Sequence, residues 1–186
     1  MTQYLHPPHH HAWLLPLLAG MLMVASLARA VEVGDPAPDF TLPSTTGEAM
    51  SLSQFRGKKR VFIEFYTNDF VPTCTANLAA RKDDYSAFQA LNVEVLAIGA
   101  NSKFSQKVHA DSLQLPYPLL SDYPDMKTIR AYGVGHPGRP ATTVAQRAFF
   151  LIDEQGIVRG KWPGEDLVVA PNEIFLKAVQ ELAAGH

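Results

Sequence analysis

The 186-residue chain has a single cysteine, Cys74, and so nothing with which to close a disulfide within itself. Dithiol exchange is excluded for the same reason. Histidine is sparse beyond the first eleven residues: His109, His136 and His186 stand apart, none in a recognisable dyad with a nucleophile, which argues against protease-type chemistry. Cys74 also lacks a cysteine or histidine neighbour at ligand spacing, so metal handling has little support, and neither a metal nor an organic cofactor is expected. Neither sign of charge is in excess. Sixteen Lys and Arg face eighteen Asp and Glu, for a net charge of -2 and a pI near 6.4, and no basic stripe suggests a nucleic-acid partner. Residues 31–186 carry no repeat, no low-complexity segment and no long linker. A content of 47% hydrophobic and 18% charged residues suits one globular domain with its own core.

Residues 1–30 differ from the rest. Ala12 to Ala28 is an apolar stretch without charge, followed by Ala28-Arg29-Ala30, a small-x-small cleavage pattern. This reads as a signal peptide cut after Ala30, leaving a domain at 31–186 exported to the periplasm. The leader is unusual in having His6, His9, His10 and His11 but no Lys or Arg before the apolar run. The alternative is an uncleaved membrane anchor facing the periplasm, since the stretch is close to the short limit for a spanning helix. In an oxidising compartment a lone thiol is reactive, joined to another chain, or buried and inert.

After a proline-punctuated lead-in, four segments read as strands: Val61 to Tyr66, Val93 to Gly99, Ala148 to Asp153 and Ile157 to Trp162. Glu154-Gln155-Gly156 joins the last two as a hairpin. Cys74, Leu78, Tyr85, Phe88 and Leu91 fall on one side of a helix, and further helices are predicted at Ser102 to Ser112, Asp125 to Tyr132 and Asn172 to Ala183, the last with Asn172 as a cap. The order implies an α/β domain with a mixed sheet flanked by helices. A helical crossover makes its first two strands parallel.

Cys74 follows the apolar run Arg60-Val61-Phe62-Ile63-Glu64-Phe65-Tyr66 and opens a helix. An ordinary thiol, with a pKa of ~8.5, is mostly neutral at pH 7. The free N–H groups and positive dipole end of a helix favour the thiolate, which is the nucleophile. Without a second thiol or a histidine base, peroxide reduction is the remaining chemistry, and it calls for a fixed cation beside the sulfur.

Val33-Gly34-Asp35-Pro36-Ala37-Pro38-Asp39-Phe40-Thr41-Leu42, Gly47 and Ser51-Leu52-Ser53-Gln54-Phe55-Arg56-Gly57-Lys58 closely resemble the opening of peroxiredoxins of the bacterioferritin-comigratory (Q) type. The resemblance continues through Phe65-Tyr66, Pro72-Thr73-Cys74-Thr75, Tyr117-Pro118-Leu119-Leu120-Ser121-Asp122, Tyr132-Gly133-Val134 and Phe150-Leu151-Ile152-Asp153-Glu154-Gln155-Gly156. It implies a thioredoxin-like fold, a thiol peroxidase acting on hydrogen peroxide or organic hydroperoxides, and Cys74 as the peroxidatic residue. It also implies that Arg147 borders the thiolate, with Arg139 from the same loop as a weaker substitute. Two positions depart from the family motif: Thr67 replaces a proline seven residues before the cysteine, and Val71 replaces the threonine or serine three before it. Valine has no hydroxyl to hydrogen-bond in a peroxide pocket, and Thr67 or Thr73 are the candidates to supply one. Ala79 stands where many Q-type members carry a second cysteine, so the implied enzyme has one cysteine and an external reductant, a thioredoxin-like protein or a small thiol.

The competing reading is a thioredoxin-fold protein without peroxidase chemistry, serving as a redox-sensing or partner-binding module. Phe62, Phe65, Phe70, Phe149 and Phe150 read as core or pocket wall. Glu64 reads as facing the pocket or, more simply, as an edge or paired carboxylate, and His109 as a solvated helix residue. Trp162 reads as packing or as a surface for a homodimer.

Overall fold

The computed structural model describes residues 30–136, 144–165 and 168–185. The predicted leader as far as Arg29, and Arg139 and His186, lie outside them. Five strands form the main sheet in the order β5-β4-β3-β6-β7: β3 (Arg60–Phe65), β4 (Val93–Gly99), β5 (Leu119–Ser121), β6 (Ala148–Ile152) and β7 (Val158–Pro163). A small antiparallel pair, β1 (Thr41–Leu42) and β2 (Met50–Ser51), precedes it. As the pattern predicts, β3 and β4 are parallel, and β6 and β7 form an antiparallel hairpin. β3 is the central strand, parallel to β4 on one side and antiparallel to β6 on the other.

A strand buried on both faces needs apolar residues of both parities, and Val-Phe-Ile-Glu-Phe supplies them apart from one carboxylate. Successive side chains alternate between faces. Val61, Ile63 and Phe65 join one core layer with Leu52, Ile129, Tyr132 and Phe150. Phe62 and Tyr66 join the other, with Cys74, Leu78, Phe88, Phe149, Phe175 and Val179. The helices α1 (Pro72–Asp83), α2 (Tyr85–Ala90), α3 (Lys103–Leu113) and α5 (Asn172–Ala184) supply the second layer, while α4 (Lys127–Ala131) covers the first. Burying a phenyl ring such as Phe175 contributes about 2–3 kcal/mol.

Several boundaries differ from expectation. The stretch predicted as one helix from Cys74 to Leu91 is broken at Asp84, whose backbone leaves the helical region. The α4 helix begins at Lys127 rather than Asp125, because Met126 takes a left-handed conformation at φ 48°. β5, three residues long, was too short to show a periodicity. Asn172 is the first residue of α5 rather than its cap, and its side chain turns inward.

Candidate active site

β3 ends at Phe65, and the chain turns through Thr67 to Phe70 before Val71 opens α1. Pro72 takes the first helical position, where its missing N–H costs nothing. Cys74 therefore lies in the first turn of α1, at the positive end of a 12-residue helix, as its sequence context predicts. The thiol is fully buried.

Arg147 enters from the residue before β6. Its Nη2 donates to Cys74 Sγ at 3.0 Å, and its Nη1 donates to the Glu165 carbonyl at 2.8 Å. Arg147 is itself 1% exposed. A guanidinium keeps its charge under all ordinary conditions, so the sulfur faces a fixed cation in a medium that screens weakly. The fold thus brings together two groups that are 73 residues apart in the chain. Thr67, Val71 and Thr73 surround the turn and are half-buried. Val71 packs against the core layer that holds Cys74, and the Thr73 carbonyl accepts from Asn77 Nδ2. Among the described residues, neither the Thr67 nor the Thr73 hydroxyl forms a hydrogen bond to the sulfur.

A second ionic pair lies on the same face of the sheet. Arg81 Nε is 3.6 Å from Glu64 Oε2, and both side chains are wholly shielded from water. Arg81 donates through Nη1 to Asn172 Oδ1 and through Nη2 to the Ala170 carbonyl, and its guanidinium lies over the Phe175 ring at 4.9 Å. Burial pushes the Glu64 carboxyl up to about 7; the positive charges of Arg81 and then Arg147 hold it from rising further. Glu64 therefore sits beside a cation, as the simpler expectation has it, but burial resists its ionisation. Arg81 escaped notice, although it lies seven residues after Cys74 on the inward stripe of α1. An arginine on that stripe together with a glutamate in an apolar strand was the signal available.

A third polar row flanks the turn. Asp69 accepts from Tyr66 Oη at 2.8 Å and from Ser105 Oγ at 2.5 Å, and Gln106 Nε2 donates to Tyr66 Oη at 3.0 Å. His109, predicted to be solvated, is 1% exposed: its Nε2 is 3.1 Å from Thr75 Oγ1 and its Nδ1 3.5 Å from Asp69. Phe70, predicted as core or pocket wall, is instead 55% exposed, with φ at 59°, and its ring covers His109 at 4.6 Å. Phe62 and Phe149 do wall the thiol's layer, whereas Phe65 and Phe150 belong to the opposite one. Trp162 packs edge-on against Phe175.

Residues 33–161 match the model of the AhpC/TSA family. A Coxiella burnetii chain assigned as peroxiredoxin bcp is 36% identical over 138 residues, 72% of this chain and 89% of the relative. The chloroplastic peroxiredoxin Q of Suaeda salsa is 34% identical over 150 residues, 81% of this chain and 68% of its own. Among solved structures, the reduced 2-Cys peroxiredoxin of Plasmodium vivax superposes with a TM-score of 0.73 at 27% identity, covering 82% of each chain. Peroxidoxin BcpB of Mycobacterium tuberculosis gives 0.71 at 24% identity over 83% of this chain and 97% of its own, a likeness of fold.

Proposed function

The chain belongs to the AhpC/TSA family, among the bacterioferritin-comigratory (Q-type) peroxiredoxins, and from that premise we propose that Cys74 is the peroxidatic thiol of a one-cysteine peroxidase and Arg147 its electrostatic partner. Family and fold make the protein a thiol peroxidase, an oxidoreductase taking peroxide as substrate and a thiol as reductant. The observation that carries the assignment of residues is the 3.0 Å hydrogen bond from Arg147 Nη2 to the buried sulfur.

The reaction follows from that arrangement. The Cys74 thiolate attacks one peroxide oxygen; the S–O bond forms, the O–O bond breaks, and the departing hydroxide or alkoxide takes a proton to become water or an alcohol. Sulfur is oxidised to a sulfenic acid as the peroxide is reduced. Arg147 favours the thiolate beforehand and offers a charge-assisted hydrogen bond to the peroxide oxygen as the O–O bond stretches. The chain has no second cysteine, so an external thiol attacks the sulfenic sulfur and expels water, and a further thiol releases Cys74 from the mixed disulfide. Thr67 or Thr73 is the source of a hydroxyl at the peroxide site, and Val71 lines it as apolar wall.

The domain is proposed to work in the periplasm after removal of residues 1–30, with membrane anchoring through that leader as the alternative. The burial of Val31 in the core supports a folded unit starting there. N-terminal sequencing of the exported protein decides between cleavage and anchoring, and light scattering decides whether the unit is a homodimer.

The central test is the second-order rate of Cys74 oxidation by hydrogen peroxide on the domain from Val31, with the sulfenic acid trapped by a dimedone-type probe. Oxidation orders of magnitude faster than free cysteine, and lost in Arg147→Ala, is the expected result. Oxidation no faster than free cysteine, with hydrogen peroxide and an alkyl hydroperoxide alike, overturns the assignment.

A further inference from the structure

Four ionisable groups, Glu64, Cys74, Arg81 and Arg147, lie on one face of the sheet, and each is at most 1% exposed. Alternation along β3 sets Glu64 between Phe62 and Tyr66 on the thiol's side. The β3–β6 register pairs Glu64 with Phe149, and Arg147, two residues before Phe149, lies on the same face beside it. Glu64 thus has Arg81 on its α1 side and Arg147 toward the thiol.

The Glu64–Arg81 contact is not built as a fixed structural bridge. A buried carboxylate in such a bridge normally accepts two parallel N–H bonds from the guanidinium and fills its remaining lone pairs. Here the separation is 3.6 Å, and among the described residues neither Glu64 oxygen nor Arg81 Nε has a hydrogen-bond partner. The Arg81 η nitrogens are turned instead to Asn172 and Ala170. Glu64 is held beside one cation, Arg81, and in the field of a second, Arg147, without the hydrogen bonds that would lock it in its charged form.

We propose that Glu64 is a positioning residue for Cys74, a carboxyl paired with Arg81 that shares the field of the Arg147 guanidinium with the thiolate and takes up negative charge as the thiolate gives up its own. The inference rests on Cys74 being the peroxide-reducing thiol. Before reaction the cluster holds a thiolate, a protonated Glu64 and two guanidiniums. Attack on peroxide turns the thiolate into a neutral sulfenic acid, the leaving hydroxide gains one proton to become water, and Glu64 loses one. Charge passes from sulfur to carboxyl, and the net charge of the buried cluster is unchanged.

The Glu64 carboxyl, which burial pushes up to about 7, is poised for that exchange. The other polar groups around the cluster leave the assignment intact. Tyr117, before β5, has its ionisation pushed far above the ordinary range by burial and stays neutral. Tyr66, at the end of β3, is likewise kept neutral by burial and by the neighbouring Asp69 charge. Asp84, between α1 and α2, acts on Arg81, and α5 contributes the uncharged Asn172.

The test follows the carboxylic-acid carbonyl band of Glu64 by infrared spectroscopy while pH is varied, in the wild-type domain and in Cys74→Ser. The band is assigned by its loss in Glu64→Gln. If that variant does not fold, carbon-13 glutamate labelling of the wild type identifies the acid that persists near neutral pH. In Cys74→Ser the midpoint of the band is expected about one pH unit lower, because the competing thiolate is gone. In the wild type at pH 7 the band is expected to fall as peroxide forms the sulfenic acid. Equal midpoints, or a band indifferent to oxidation, overturn the coupling. The midpoint comparison needs no peroxide, so it stands even if oxidation proves no faster than that of free cysteine, a result that would defeat the peroxidase reading instead.

Discussion

Gly164 packs directly against the stem of Arg147: a Cβ on residue 164 would run into Cβ, Cγ and Cδ of the arginine. The next residue, Glu165, supplies the carbonyl that holds Arg147 Nη1. One short stretch after β7 therefore both makes room for the guanidinium and clamps it against the sulfur.

Gly164→Ala is expected to displace Arg147 with little effect on the fold. A shift of about 1 Å at a reacting group can cost ~10²-fold in rate. Stopped-flow oxidation of Cys74 by hydrogen peroxide, read beside near-UV circular dichroism, checks this; an unchanged rate would mean that the guanidinium reaches the sulfur by another path.

Glu64 should make stability depend on pH. Its carboxyl has an ordinary value of 4.5 in the unfolded chain and about 7 in the fold, so between these values the folded protein binds more protons than the unfolded one. Stability from this group is therefore greatest at acid pH and declines as pH rises from 4.5 through 7, by about 3 kcal/mol in all. Urea unfolding at a series of pH values should show this decline in the wild type, with a flatter curve for Glu64→Gln. Parallel curves would contradict a Glu64 kept neutral by burial.

Asp69→Ala removes the acceptor for the buried Tyr66 hydroxyl and for Ser105. A loss of about 2–3 kcal/mol is expected. Tyr66→Phe, which keeps the ring and deletes only the hydroxyl, should cost about 1 kcal/mol. Equilibrium urea midpoints separate the two, and equal losses would show that Asp69 contributes through something other than this row.

Phe175→Ala opens a cavity between the rings of Phe62, Phe149 and Trp162 and strips Arg81 of an aromatic face. The expected cost is about 3–5 kcal/mol. Unfolding followed by the fluorescence of Trp162, which rests against Phe175, measures it. A cost below about 1 kcal/mol would mean that α5 collapses into the space.

The central strand, the hairpin and the position of Cys74 were legible in the sequence because each rests on a local pattern: a continuous apolar run, a Gly-containing turn, a nucleophile between strand and helix. Arg147 was legible only through the family frame, since its partner is distant in the chain. His109 misled because three of its α3 neighbours, Lys107, Val108 and Asp111, are exposed, and its burial depends on Asp69, Thr75 and the ring of Phe70 arriving from another element. Phe70 misled in the opposite sense, since a phenylalanine in a left-handed turn is placed by its backbone rather than by its hydrophobicity. The break at Asp84 left the helical spacing of apolar residues almost undisturbed, and so gave no sign in the pattern.

Because Cys74 lies on the early side of the fold and Arg147 near its end, the sulfur has no cation beside it while the chain is still being made. Only when β6 docks against β3 does the guanidinium reach it. Completion of the sheet is thus the event that assembles the pair: the guanidinium–sulfur contact belongs to the finished fold and to no earlier stage of the chain.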